Sequence, residues 1–165
     1  MIKSNAERMQ SLIQQLMEFR KVETGYLELY VQDVDMWELV ANTTGNFVDI
    51  AEEKEITFTI EITPDVRTWN TDRSAFEKVL FNLLSNAFKY TSDGGSISME
   101  LADGADECMF SVSDNGAGIS EEDYVKIFER FYQAENIGQY GGTGIGLALS
   151  QGIVKAHLGV RTVES

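Results

Sequence analysis

The sequence is poor in two residue types that often build functional sites. Its 165 residues include one cysteine and one histidine, Cys108 and His157. A single cysteine cannot form an intramolecular disulfide, and a single histidine leaves no Cys/His zinc constellation. We therefore expect a reducing, cytosolic environment and no structural zinc site.

Basic residues and long apolar runs are also scarce. The 13 Lys and Arg residues are outnumbered by 27 Asp and Glu residues, and the net charge is -14 at pH 7. Because nucleic-acid affinity rests largely on phosphate neutralisation, this balance argues against a nucleic-acid partner. No segment approaches the roughly 20 apolar residues of a membrane span, and residues 1–10 lack the apolar core of a signal peptide. We expect a soluble chain without direct membrane contact.

The hydrophobic content is sufficient for one ordinary core, at 43% of 165 residues. The first predicted element is an amphipathic helix from Met9 to about Val22. Its apolar residues recur at the three- and four-residue spacing of one helix face, and they are Met9, Leu12, Ile13, Leu16, Met17 and Phe19. This stripe needs a partner, which is either the rest of the chain or a second copy of it.

Periodicity predicts a mixture of hairpins and helices in the remaining sequence. Strands are predicted at residues 27–31, 56–62, 66–69, 97–101 and 108–114. The second and third of these form one predicted hairpin, with a turn at residues 64–65. The last two form another, with a turn around residues 103–104.

Four helices are predicted between and after these strands. The first covers residues 37–51, and the second is a long segment that Asp72 caps and that reaches Phe88. The third is a short segment that starts at Ser120, with Asp123 in a capping-box position. The fourth ends near His157. Helices do not separate the strands one by one, so a doubly wound parallel sheet fits poorly. We expect an α+β sandwich with helices on one face of a mixed sheet.

The long helix carries a polar stripe formed by Asn82, Asn86 and Lys89, spaced four and three residues apart. An amide oxygen is a ligand that Mg²⁺ accepts alongside substrate phosphates, and lysine adds a point charge for phosphate. The alternative is an ordinary solvated helix face.

Asp114 ends the last predicted strand on the side of Cys108, Phe110 and Val112. If those three side chains face the core, the carboxylate does so too and needs a hydrogen-bond donor. An exocyclic amine such as that of adenine would satisfy it, and the glycines at 116 and 118 let the backbone approach a flat ligand. The alternative is an ordinary Asp-Asn-Gly turn.

A glycine-rich segment, residues 141–146, precedes the last helix. Glycines at a helix N-terminus leave backbone N–H groups accessible to phosphate. No Lys-Ser/Thr pair follows, so the segment is not a P-loop, and no predicted strand runs directly into it, so the dinucleotide fingerprint fails as well.

Four stretches together resemble a known family. They are residues 82–91 (Asn-Leu-Leu-Ser-Asn-Ala-Phe-Lys-Tyr-Thr), 114–119 (Asp-Asn-Gly-Ala-Gly-Ile), 128–133 (Phe-Glu-Arg-Phe-Tyr-Gln) and 142–147 (Gly-Thr-Gly-Ile-Gly-Leu). In this order they are similar to the N, G1, F and G2 boxes of the ATP-binding catalytic domain of sensor histidine kinases. Residues 16–25 resemble the end of the second helix of the dimerisation and phosphotransfer domain, in the style of hybrid receptors.

The resemblance implies a two-layer α/β sandwich of the Bergerat type that binds ATP and Mg²⁺. It places the end of the dimerisation helix at residues 1–26 and the catalytic domain at 27–165, truncated at its C-terminal strand. The implied activity is transfer of the γ-phosphate to a histidine outside these residues, on the phosphotransfer helix of the same receptor, and then to a response regulator receiver domain. The implied location is cytoplasmic, within a membrane-anchored receptor.

The resemblance also assigns roles to individual residues. Asn86 would hold Mg²⁺ with Asn82 in support, Lys89 and Tyr90 would meet the nucleotide, and Asp114 would accept from the adenine amino group. Asn82 and Lys89 are the implied catalytic residues. The other implied nucleotide-binding residues are Gly116, Gly118, Ile119, Gly142, Thr143, Gly144, Ile145, Gly146 and Leu147. Phe128 and Phe131 would anchor a lid at about residues 132–141.

Departures from the family pattern define the alternatives. Relatives that hydrolyse ATP carry a glutamate base where this chain has Asn82, and a neutral amide is a poor base, so transfer is favoured over hydrolysis. A degenerate, non-catalytic binding module is the other alternative.

Individual positions also depart from the family pattern. Many relatives carry an arginine at the position of Gln133, and Arg130 is the nearby residue that would replace its charge. His157 is expected to cap or pack the last helix, and the fragment is expected to be a monomer or weak dimer.

Overall fold

The computed structural model describes residues 2–63, 68–103, 107–133, 142–157, 159 and 162–164. The predicted turn at residues 64–65, residue 104 of the later turn and most of the predicted lid lie outside this range. The chain divides into two compact units. Tyr30–Gly118 form the sheet unit, and Met1–Leu29 together with Ile119–Ser165 form the helical unit.

The described chain contains five strands, five α-helices and one 3-10 helix. The strands are β1 (Gln32–Asp35), β2 (Thr57–Ile62), β3 (Thr68–Thr71), β4 (Ser96–Asp103) and β5 (Cys108–Asp114). The helices are α1 (Ile2–Glu23), α2 (Met36–Gly45), α3 (Val48–Glu53), α4 (Arg73–Tyr90), the 3-10 helix (Lys126–Phe128) and α5 (Gly146–Ala156).

The sheet unit contains a mixed sheet in the order β2-β4-β5. Strand β2 runs parallel to β4, and β4 runs antiparallel to β5, with Ile97 opposite Asp114. Strands β1 and β3 form a separate antiparallel pair. The second predicted hairpin is therefore confirmed.

Helices cover one face of the mixed sheet. In β4 the side chains of Ile97, Met99 and Leu101 are buried, while Ser98 and Glu100 between them are exposed. Helix α4 packs on this sheet with an apolar face formed by Ala75, Val79, Leu80, Leu84, Ala87 and Phe88. Burial of each large apolar side chain stabilises the fold by about 1.5–3 kcal/mol. The predicted α+β sandwich is confirmed.

The first predicted hairpin is wrong, because β2 pairs with β4 and β3 pairs with β1. The predicted strand at residues 27–31 is also absent, since the strand in this region begins at Gln32, opposite Thr71. Alternation shows which face of a strand is buried but not which strand lies beside it. The ladder β1-β3 ends at Gln32 because β3 ends at Thr71.

Two helix predictions need correction. The segment 37–51 forms two helices, α2 and α3, separated at Asn46 and Phe47. The segment after Ser120 forms a turn and the 3-10 helix instead of an α-helix. There the Asp123 carboxylate accepts from the side-chain hydroxyls of Ser120 and Tyr132, so it does not complete a capping box.

In the helical unit α1 packs against α5. The predicted apolar stripe of α1 divides into two parts. Leu12 and Phe19 are half-buried, whereas four residues of the stripe are exposed, namely Met9, Ile13, Leu16 and Met17. Within this unit the rest of the chain therefore covers only part of the stripe.

Asp72 fixes the start of α4. Its Oδ1 accepts from the backbone N–H of Ala75 at 2.9 Å, which is the predicted N-cap bond, and its Oδ2 accepts from the backbone N–H of Tyr30 at 2.8 Å. The Asp72 side chain is buried, so both bonds are shielded from water. One carboxylate therefore caps the helix and holds the chain where it enters the sheet unit.

We expect Asp72→Ala to lower the free energy of unfolding by about 2 kcal/mol, because it removes an N-cap and leaves two backbone donors unpaired. Urea denaturation measures this change. Asp35→Ala is the matched control, since Asp35 caps α2 with a single exposed bond to Glu38 at 3.0 Å. A loss for Asp72→Ala no larger than that for Asp35→Ala would contradict the double role.

Candidate functional site

The polar stripe of α4 lies beside its buried face. Asn82, Asn86 and Lys89 are all half-buried, while Leu84 and Phe88 between them are buried in the core. The packing of α4 on the sheet determines the rotation of the helix, so these three side chains share one side of it. The structure thus brings together the two amides and the lysine that the spacing predicted.

The end of α4 contacts the turn that follows β5. The Tyr90 carbonyl oxygen accepts from the backbone N–H of Ala117 at 3.2 Å. A Cβ atom placed on Gly116 would overlap this carbonyl group, so only glycine allows the two segments to come so close. This approach places the G1-like turn next to the last residues of the N-box-like helix.

Asp114 shapes the turn from its other end. Its Oδ1 accepts from the backbone N–H of Gly116 at 2.9 Å. The prediction of a buried carboxylate is wrong, because Asp114 is exposed although Phe110 and Val112 pack against the core. Asp114 is the last residue of β5, where the strand gives way to the turn. An exposed carboxylate beside a helix end remains an acceptor that a ligand can reach.

Lys89 and Tyr90 contact each other. The Lys89 ammonium donates to the Tyr90 hydroxyl at 2.7 Å and lies 4.4 Å from the centre of the Tyr90 ring. The contact combines a hydrogen bond with a cation–π interaction. It holds the lysine charge at the end of α4, close to the G1-like turn.

In the helical unit the G2-like segment is fixed by Phe131, just before the predicted lid, and by Gln133 at the lid's start. The Gly144 carbonyl accepts from the Phe131 backbone N–H, and the Gly142 carbonyl accepts from the Gln133 side-chain amide, both at 2.8 Å. Gly144 has a φ of 66°, and a Cβ atom there would lie 2.6 Å from the Phe131 carbonyl carbon. Glycine is therefore required at this crossing.

Helix α5 begins directly after this segment, at Gly146. Ile145 occupies the N-cap position, and because its side chain is a hydrocarbon, the cap provides no side-chain acceptor for the first turn. The Thr143 hydroxyl accepts from the Ile145 backbone N–H at 3.2 Å and donates to Gln15 of α1 at 3.0 Å. A glycine-flanked helix N-terminus of this kind is suited to binding an anion.

The two predicted lid anchors differ in burial. Phe128 is half-buried in the 3-10 helix, whereas the ring of Phe131 is 61% exposed and its backbone makes the contact with Gly144. Phe131 has a left-handed φ of 62°, which is uncommon for an aromatic residue. Because residues 134–141 lie outside the described range, the lid itself stays a prediction.

Arg130 forms an ion pair within the helical unit. Its guanidinium lies 3.0 Å from the Glu23 carboxylate and 5.3 Å from the centre of the Phe19 ring. Both partners belong to α1. Arg130 was a possible substitute for the charge missing at Gln133, and in this structure its charge is directed to α1.

His157 is at the C-terminal end of α5, as predicted. Its backbone N–H donates to the Ile153 carbonyl at 3.1 Å, and its Nδ1 lies 2.9 Å from the same oxygen. These contacts identify a capping histidine.

Asp123 links the segment after the G1-like turn to the F-box-like segment. It accepts from the Ser120 hydroxyl at 2.7 Å and from the Tyr132 hydroxyl. The Tyr132 bond is the main cause that lowers the pKa of Asp123 below its ordinary value, followed by the Ser120 bond and the nearby charge of Lys126. The sequence pattern suggested Ser120 and Asp123 as a pair but gave no signal for Tyr132.

Metal binding by protein carboxylates alone is not supported in the part of the chain that the structure describes. No group of three or more His, Cys, Asp or Glu side chains there could hold a metal ion. The Asn82 and Asn86 amides supply neutral oxygen donors, which fits a Mg²⁺ ion that takes its remaining ligands from phosphate and water.

None of the described helices has the length and apolar character needed to cross a membrane.

A protein-family model described as "Histidine kinase-, DNA gyrase B-, and HSP90-like ATPase" matches residues 71–165. Histidine kinase P4 of Formosa agariphila is 34% identical, over 96% of this chain and 12% of that protein. The chain thus spans about an eighth of the length of this curated relative.

Two solved structures share the fold. Full-length ShkA in complex with AMPPNP has a TM-score of 0.82 and 25% identity, covering 93% of this chain and 32% of that one. Histidine kinase ThkA in complex with the response regulator TrrA has a TM-score of 0.74, covering 96% of this chain and 43% of that one; its 23% identity shows likeness of fold alone.

We expect Tyr132→Phe to raise the pKa of Asp123 toward its ordinary value of 3.8, because the strongest donor to the carboxylate is removed. Ser120→Ala should raise it less, and Lys126→Met least. A lowered carboxyl pKa stabilises the fold above pH 3.8, and this contribution is lost as the pH falls through the folded-state pKa. Carbon-detected NMR titration of the Asp123 carboxyl measures the order, and a larger shift in Lys126→Met than in Tyr132→Phe would contradict it.

Proposed function

Because the chain belongs to the family of histidine kinase-, DNA gyrase B- and HSP90-like ATPases, we propose that it is the ATP-binding catalytic domain of a sensor histidine kinase. The observation that carries this proposal is the backbone contact between the end of α4 and the G1-like turn. It places Asp114 beside the helix that bears Asn82, Asn86 and Lys89.

Adenine recognition is assigned to Asp114. Its Oδ1 already accepts from Gly116, and a carboxylate has two acceptor oxygens, so the other can accept from an exocyclic amine. Gly116 lets the turn lie against the end of α4, and by resemblance Gly116 and Gly118 would lie beside the base. An exposed carboxylate with a fixed turn behind it supports this role, because the turn holds the acceptor before the ligand arrives.

By resemblance, phosphate binding is assigned to residues of the N-box-like helix and of the G2-like segment. In the sheet unit Asn86, supported by Asn82, would hold Mg²⁺, and Lys89 would offer its ammonium to a phosphate oxygen. In the helical unit the implied residues are Gly142, Thr143, Gly144, Ile145, Gly146 and Leu147, at the start of α5. Mg²⁺, when bound, neutralises phosphate charge. The chain's net charge of -14 makes this neutralisation important.

The reaction we propose is transfer of the γ-phosphate to a histidine. Asn82 occupies the position where hydrolysing relatives have a glutamate base, and an amide does not take a proton from water at neutral pH. Phosphoryl transfer depends mainly on positioning and electrostatic stabilisation, which the amides, Lys89 and the helix N-terminus can provide. The acceptor histidine would lie outside this chain, on the phosphotransfer helix of the same receptor.

Residues 1–26 are assigned to the end of the dimerisation helix. Four exposed residues of α1 provide an apolar surface that suits a second helix of that domain, and they are Met9, Ile13, Leu16 and Met17. We propose a response regulator as the final phosphate acceptor, the class of partner that ThkA binds in its complex with TrrA. By the same resemblance the receptor would be membrane-anchored and this part cytoplasmic.

Asp114→Asn should weaken binding of the non-hydrolysable analogue AMPPNP with Mg²⁺ at least about ten-fold, because the amide replaces a charged acceptor and can present a donor to the adenine amine. Isothermal titration calorimetry on the parent and on the variant measures the change. Asp93→Asn, at an exposed turn of the same unit, is the matched control. Absence of binding by the folded parent would sink the proposal and favour a non-catalytic binding module.

Asn86→Ala should remove most of the gain in AMPPNP affinity that Mg²⁺ provides, while leaving the affinity in EDTA nearly unchanged. The reason is that this variant loses a metal ligand but no direct phosphate contact. Titrations with Mg²⁺ and with EDTA separate the two effects. Asn42→Ala, an exposed helical asparagine in α2, is the control. Equal weakening of Asn86→Ala in both buffers would argue against a metal ligand.

A further inference from the structure

One side of α1 faces the rest of the helical unit, and a residue on this side contacts Thr143, which is assigned to the nucleotide. The half-buried residues on this side recur at three and four positions, and they are Leu12, Gln15, Glu18, Phe19 and Val22. Gln15 and Glu18 are the polar residues among them, and Gln15 contacts Thr143. Its side-chain oxygen accepts the Thr143 hydroxyl at 3.0 Å, across 128 positions of sequence.

Close packing holds α1 in this position. A Cβ atom placed on Gly152 of α5 would overlap the side chain of Val22, so the two helices approach at a point where α5 has no side chain. Arg130 also pairs with Glu23 at the end of α1, but an ion pair between side chains about half exposed contributes little. The packing of α1 on α5, with its close approach at Gly152, therefore keeps Gln15 within reach of Thr143.

The single proton of the Thr143 hydroxyl is engaged in this arrangement. It accepts from the Ile145 backbone N–H at 3.2 Å and donates its one proton to Gln15. A hydroxyl has a single proton to donate, so Thr143 cannot donate to a phosphate oxygen while it donates to Gln15. Phosphate oxygens carry no proton near neutral pH and need donors from the protein.

We propose that Gln15 is a positioning residue that competes with bound nucleotide for the Thr143 hydroxyl. This inference rests on the proposed function, because Thr143 meets phosphate only if the G2-like segment binds ATP. With α1 packed on α5, Gln15 holds the hydroxyl and nucleotide affinity is lowered. When nucleotide takes the hydroxyl, α1 loses a contact. The coupling is reciprocal, so nucleotide weakens the packing of α1 by the same factor by which that packing weakens nucleotide binding.

The test is calorimetric titration of the folded chain with AMPPNP and Mg²⁺. Gln15→Leu keeps the size of the side chain and removes its acceptor, so we expect about two- to ten-fold tighter binding, the equivalent of one hydrogen bond. Gln15→Glu keeps an acceptor oxygen and should bind as the parent does or more weakly. Gln14→Leu is the matched control, since Gln14 is the exposed neighbour on the same helix, and it should leave the affinity unchanged.

A double-mutant cycle tests whether the effect passes through Thr143. Thr143→Val should weaken binding, and adding Gln15→Leu to it should produce no further change, because no hydroxyl is left to release. Hydrogen exchange gives an independent measure, since AMPPNP with Mg²⁺ should speed exchange of the α1 amides in the parent but not in Gln15→Leu.

The outcomes distinguish the inference from the function on which it rests. If the parent binds AMPPNP and Gln15→Leu binds no tighter than Gln14→Leu, the inference fails and the proposed function stands. The same gain in the Thr143→Val background would also overturn it. If the parent does not bind, both fail. Should Gln15→Leu not fold, Gln15→Asn removes the same contact by shortening the side chain, and the same gain is expected.

Discussion

The packing of α4 on the mixed sheet is the interaction on which the rest of the sheet unit depends. Leu80 and Leu84 on the helix and Met99 and Leu101 on β4 are fully buried. An amphipathic helix pressed on a sheet by its apolar side has little freedom to rotate, so its polar stripe is oriented as a consequence. Orienting the polar stripe therefore requires little further loss of conformational entropy.

Both ends of α4 are held as well. At its start Asp72 caps the helix, and at its end the Lys54 ammonium donates to the Phe88 carbonyl at 2.9 Å. A cation at a helix C-terminus also interacts favourably with the helix dipole. With rotation and position both determined, the side chains of the N-box-like segment are placed before any ligand binds, which reduces the entropic cost of binding.

Electrostatics explain why so many of the assigned contacts are neutral. The chain has 27 acidic and 13 basic residues, and a field of that sign opposes a polyanionic nucleotide. Two of the cations near the boxes already have partners, since Lys89 contacts Tyr90 and Arg130 contacts Glu23. Backbone N–H groups, amides and a divalent metal can bind phosphate without adding fixed positive side chains.

Within each unit, a close backbone approach fixes one of the assigned loops. Gly116 lies against the Tyr90 carbonyl in the sheet unit, and Gly144 lies against Phe131 in the helical unit. In each case a loop assigned to the nucleotide is fixed by a crossing that a side chain would prevent. A site built in this way has its donors and acceptors oriented by the main chain, which has fewer conformations available than long side chains have.

The sequence by itself determined the elements whose signals are local. The apolar spacing of α4, its Asp72 cap, the hairpin of β4 and β5, and the glycines before α5 all followed from neighbouring residues, and so did the resemblance of the four boxes. Tertiary structure alone decided the partners. It paired β2 with β4 and β3 with β1, left Asp114 exposed, and brought Gln15 to Thr143 and Tyr132 to Asp123. Periodicity states which side of an element is apolar, but which element covers that side depends on packing between residues far apart in the chain.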